Sequence, residues 1–222
     1  NLYLDKTRLT EEELVNYHKL IGHEGIHSFT DEKFYVCANT DLRNSATYWR
    51  DHIRCHQSTL SEPSVVILGD SHAEHLFPGL ALSNIKKSIV YYTHGAAVDL
   101  NHNYFRLAVD EILSSDNVET VILTMFFKER AQTSLSSFHK VAESLVKGGK
   151  NVLIVGGIPD FKVLPEYCYQ LHLQSEPTRG HCSIKRSEFE LIDFKLMELT
   201  QTLKKHGNVS LFRPMEILCK PH

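Results

Sequence analysis

From residue 63 onward, short apolar runs alternate with longer stretches whose apolar positions recur at helical spacing. Val65-Val66-Ile67-Leu68 is unbroken and mostly β-branched, the pattern of a strand buried on both faces. Further strands are expected at 88–92, 119–124, 151–155 and 209–212. Between them, helices are expected over 72–82, 105–114 (apolar at Phe105, Leu107, Ala108, Ile112 and Leu113), 135–147 and 188–206. Gly148-Gly149 and Gly207 supply the stops for the last two. Strands joined by helical crossovers must run parallel and be covered on both faces. The pattern therefore predicts an α/β chain: a flavodoxin-like three-layer sandwich with a five-stranded parallel sheet, plus an N-terminal extension.

The extension, residues 1–62, has a different texture. Thr10 and Glu13 form a capping box for a helix running toward Leu20 and ending at Gly22. An irregular region rich in His, Asn and Thr follows, and Trp49, Tyr48 and a disulfide are expected to pack it on the core. Ser61-Glu62-Pro63-Ser64 is the expected boundary, leaving residues 63–222 as the α/β domain. The chain shows no internal repeat or low-complexity tract.

Composition narrows the class only a little. With 42% hydrophobic and 23% charged residues the chain is an ordinary globular one, and a formal net charge of −3 gives no reason to expect nucleic acid as a partner. No apolar run approaches the roughly 18–20 residues of a membrane helix. Five cysteines are more informative. Their grouping suggests Cys37–Cys55 and Cys168–Cys182 bridges with Cys219 left over, which would place the chain outside the reducing cytosol; five free buried thiols are the alternative.

Gly69-Asp70-Ser71 is the principal chemical candidate, because it sets a serine hydroxyl at a strand's carboxyl end, where a helix N-terminus offers N–H donors to an oxyanion. The competing reading is that Asp70 and Ser71 only cap a helix. No glycine-rich phosphate cradle follows the strand, and the spacing differs from the G-x-S-x-G elbow. His23-Glu24-Gly25-Ile26-His27 matches the H-E-x-x-H zinc pattern, but Gly22 and Gly25 weaken the helix that this chemistry needs, and Ser28-Phe29-Thr30-Asp31 reads as a turn. With 14 histidines in the chain, this match and the His52/His56 spacing around Cys55 are expected as coincidences. No metal and no cofactor are expected.

Leu68-Gly69-Asp70-Ser71-His72-Ala73-Glu74-His75-Leu76, on the first strand of such a domain, resembles the first block of the SGNH (GDSL-like) hydrolases. Over about residues 35–219, the Gly-Asp-Ser-His-Ala form and the cysteine placement resemble the carboxy-terminal SGNH domain of bacterial acyltransferase-3 proteins that O-acetylate lipopolysaccharide O-antigen. The resemblance implies that Ser71 is the nucleophile, that the N–H groups of Ser71 and Gly95 are oxyanion donors, and that Gly69, Asp70 and His72 support the motif. His72 and His75 are expected to be structural or substrate-facing.

Two departures stand out. The family's asparagine after the third strand has no counterpart in Thr124-Met125-Phe126-Phe127, and the Asp-x-x-His that supplies base and acid is not found after the last strand. Cys219 stands three residues before His222, where that motif has its acid, so His222 is not assigned as the base. The unpaired Cys219 and the missing base together suggest a chain that stops short of that block. The resemblance implies a periplasmic or otherwise extracytoplasmic domain tethered to the inner membrane, with an acetyl donor, a polysaccharide acceptor and an integral-membrane acyltransferase-3 domain as partners. An acetylesterase using the same residues, and a non-catalytic carbohydrate-binding module, are the alternatives.

Overall fold

A computed structural model describes residues 23–46, 53–83, 86–127, 132–157 and 187–218. The strands are β1 (Tyr35–Val36), β2 (His56–Gln57), β3 (Val65–Gly69), β4 (Ile89–Thr93), β5 (Thr120–Thr124), β6 (Asn151–Val155) and β7 (Val209–Phe212). The helices are α1 (His23–Lys33), α2 (Thr40–Ser45), α3 (Ser71–Leu82), α4 (Asn103–Ser114), α5 (Gln132–Lys147), α6 (Ser187–Leu203) and α7 (Pro214–Leu218).

The strands form one sheet in the order β1-β2-β4-β3-β5-β6-β7. The five from β3 to β7 are parallel, as the apolar runs require, in the flavodoxin-like order. Strand alternation divides the core. Val66, Leu68, Val90, Tyr92, Val121 and Leu123 face α4, α5 and α6, whereas Val65, Ile67, Ile89, Tyr91 and Ile122 face α3. Register aligns the carboxyl ends of three strands: Gly69 lies level with Thr93 on one side and with Thr124 on the other. The chain passes from β3 to β4 and returns across β3 to β5, so β3 and β5 flank the switch point at which open α/β sheets bind ligands.

The extension departs from expectation in two ways. The stretch His23–Lys33, expected to be irregular with a turn at Ser28–Asp31, is a helix. Tertiary contacts override the weak propensity of Gly25: Phe34, just past α1, packs edge-on against Phe77 of α3 at 4.8 Å, and His27 and Thr30 are buried. In addition, β1 and β2 add an antiparallel ribbon to β4, which makes seven strands of the expected five. Two-residue strands are too short to show a period-2 pattern. The Cys37–Cys55 bridge is present, and both half-cystines lie in the main core cluster beside Leu42. Helix starts fall two or three residues earlier than expected in α4 and α5, α6 ends at Leu203, and Pro214 opens the unanticipated α7. The expected helix at 10–20, Tyr48, Trp49, His52, the Cys168–Cys182 pair, Cys219 and His222 lie outside the described residues.

Candidate active site

Gly69 ends β3 where the neighbouring strand comes closest. A Cβ there would stand 2.1 Å from the Thr124 carbonyl oxygen, so only glycine lets β3 and β5 close up. Asp70 then caps α3. Its Oδ1 accepts the His72 N–H at 2.9 Å, and its Oδ2 accepts the Phe126 N–H at 2.7 Å from the end of β5. The Asp70 carbonyl accepts the Thr93 hydroxyl at 2.6 Å from the end of β4. One residue thus fastens three strand ends together. Burial pushes the Asp70 carboxyl up, but hydrogen bonds from the His72 ring and from the Phe126 and His72 N–H groups hold it below the ordinary aspartate value.

Ser71 is the first residue of α3 and half-buried. Among the described residues, no group accepts a hydrogen bond from its hydroxyl or its N–H. Capping is done by Asp70, which leaves the serine for other work. His72 is occupied: its Nδ1 lies 3.1 Å from Asp70 Oδ1 and its ring stacks on Phe126 at 5.1 Å. His75 is exposed on the same helix, with its ring 6.2 Å from that of His72.

Gly95 lies two residues past the end of β4, exposed, at the same edge of the sheet as Ser71. A Cβ there would meet nothing within 4 Å, so the fold itself does not demand a glycine. The preceding residue, His94, donates its N–H to the Gly69 carbonyl at 3.3 Å and accepts the Ala96 N–H on Nδ1 at 3.1 Å. That bond places the ring proton of neutral His94 on Nε2. Burial, His102 and the Arg54 charge hold His94 below the ordinary histidine value.

Sequence reading missed a polar network beneath α3. Glu74, one turn after Ser71 and 2% exposed, accepts two hydrogen bonds on Oε2, from Arg54 Nε at 3.0 Å and Nη2 at 2.8 Å. His27 Nδ1 lies 2.9 Å from Oε1, an ion-pair distance without the alignment of a hydrogen bond. Burial raises the Glu74 carboxyl, yet His27 and Arg54 hold it below its ordinary value. Next to it, His56 lies 3.1 Å from the Tyr91 hydroxyl and 3.0 Å from Asp31. An acid in Ser71-His72-Ala73-Glu74, three residues from the serine, falls on the helix's next turn; its partners, distant in sequence, carried no signal.

A doubly wound α/β sheet with a serine at the switch point, unengaged among the described residues, is an arrangement that acyl-transferring and ester-cleaving domains can use. A family model described as "SGNH domain (fused to AT3 domains)" matches residues 37–222. The chain belongs to that family, which carries acyltransferase or esterase chemistry and a membrane acyltransferase neighbour. No curated protein and no solved structure matches it. Among the described residues, no helix is long and apolar enough to cross a membrane.

Proposed function

We propose that this is an extracytoplasmic acyl-transfer domain that O-acetylates a cell-surface polysaccharide, lipopolysaccharide O-antigen in the first instance, with the AT3 membrane domain as acetyl supplier. The observation that carries the reading is the Ser71 hydroxyl and N–H, both without a partner among the described residues, at the start of α3 and level with three fastened strand ends. The Ser71 Oγ attacks the acetyl carbonyl carbon, its proton passes to a base, and the donor departs from the tetrahedral intermediate with a proton returned. A sugar hydroxyl then attacks the acyl-serine in the same way and restores the serine.

The N–H groups of Ser71 and Gly95 stabilise the oxyanion in both steps, aided by the positive end of α3. In the family the base and its orienting acid come from an Asp-x-x-His block; that pattern does not occur in the residues after β7, and neither role is assigned to a residue here. The Cys37–Cys55 bridge supports an oxidising compartment. Ser71→Ala in the full-length protein is expected to abolish acetate on the polysaccharide and to leave folding intact. Retained acetylation would refute the assignment. Release of free acetate with no acetylated polysaccharide would instead make water the acceptor and the domain an esterase.

A further inference from the structure

Among the described residues, the extension meets the helix that carries Ser71 through Phe34 on Phe77 and through a buried polar contact at Glu74. Glu74 stands three residues after Ser71 and faces the protein interior, and Arg54 grips it with two donors on a single oxygen. Arg54 adjoins Cys55, which is bridged to Cys37 and accepts the Cys37 N–H on its carbonyl at 2.9 Å. The segment that carries the guanidinium is therefore anchored covalently and by backbone. The Arg54 charge is also felt at His94, the residue before Gly95. Two charge-assisted donors converging on one carboxylate oxygen hold that oxygen against the guanidinium edge more tightly than a single apolar contact would.

We propose that Arg54 and Glu74 form a positioning pair for Ser71, through which the disulfide-anchored extension sets the pose of the first turn of α3 and of the serine on it. The inference rests on Ser71 being the nucleophile. The pair touches no reacting atom; it acts by holding the turn that presents the hydroxyl and the N–H. A small displacement of that turn is enough to matter, because acyl transfer needs the attacking oxygen and the oxyanion donor placed together.

The test must separate positioning from simple stabilisation. Glu74→Gln leaves the buried Arg54 charge without its partner and Arg54→Met leaves Glu74 with His27 alone, so either single variant is expected to lower the denaturation midpoint. The double variant, Arg54→Met with Glu74→Gln, removes both charges and is expected to recover most of that stability. In the full-length protein, turnover of an acetyl ester by the double variant is expected to show kcat reduced about ten-fold or more with KM within about two-fold of the parent. A double variant that regains stability and kcat together would make the pair a stabiliser only and overturn the proposal. If the double variant does not fold, Arg54→Lys, which keeps the charge and loses the two-donor grip, decides by the same kcat and KM split. Ser71→Ala runs alongside: if it keeps parental turnover, the serine reading falls and takes the pair's role with it, whereas inactive Ser71→Ala with a fully active pair variant refutes the pair alone.

Discussion

Replacing Asp70 by asparagine should destabilise the domain by an amount that its hydrogen bonds allow to be worked out. The carboxylate receives two backbone N–H groups, one on each oxygen, at 2.9 and 2.7 Å, lengths typical of charge-assisted bonds. Asparagine offers one carbonyl oxygen, and whichever way the amide is turned its NH2 opposes either the His72 or the Phe126 N–H. Loss of one charge-assisted bond costs about 1.5–3 kcal/mol, and loss of the negative charge at the start of α3 about 0.3–1 kcal/mol, together about 2–4 kcal/mol.

The pH dependence follows from the lowered carboxyl. A group whose folded value lies below its unfolded value, about 3.9 for aspartate, contributes fully above that value and loses its contribution as pH falls through the folded one. Urea denaturation of parent and Asp70→Asn at pH 7, 5 and 3 should therefore give equal differences at the first two and a smaller one at pH 3. A difference under about 0.5 kcal/mol at pH 7, within the range of an ordinary surface change, would refute the account.

Other expectations concern the glycines and the bridge. Gly69→Ala should destabilise by at least about 1–3 kcal/mol or prevent folding, because its Cβ meets a strand carbonyl rather than a flexible side chain. Gly95→Ala, with open space around it, should leave stability unchanged within about 0.5 kcal/mol, so any loss of ester turnover it causes tests the oxyanion role proposed for its N–H. Cys37→Ala with Cys55→Ala opens a loop with a sequence separation of 18 and should cost about 3 kcal/mol, read as the shift in urea midpoint between the parent and the double variant.

The parallel sheet was legible because β3 to β6 carry apolar runs that only burial on both faces explains, and because glycines mark helix stops. Ser71 was legible because a strand, a glycine and a serine in sequence imply where a hydroxyl emerges. What holds Ser71 in place was not. The Phe126 contact to Asp70 is made by a backbone N–H and leaves no mark on residue type, so the stretch after β5 read only as a missing asparagine. Glu74 was visible as a residue, but Arg54 and His27 reach it from segments 20 and 47 residues away, a link that comes from packing and not from any period in the chain. The helix at His23–Lys33 was missed for a related reason: its stability comes from contact with α3, and local propensity argued against it.

The antiparallel ribbon of β1 and β2 bears on how the chain can be divided. Every residue of β4, from Ile89 to Thr93, is buried, and β2 covers its outer edge through the Gln57 to Val90 pairing. Cutting at the change of texture near Pro63 would uncover a five-residue strand rich in β-branched and aromatic side chains, without charge or proline to discourage a second chain from pairing with it. The ribbon is in this sense a guard rail. A fragment starting at Pro63 is expected to self-associate through β4, and one that keeps both half-cystines is expected to stay dispersed.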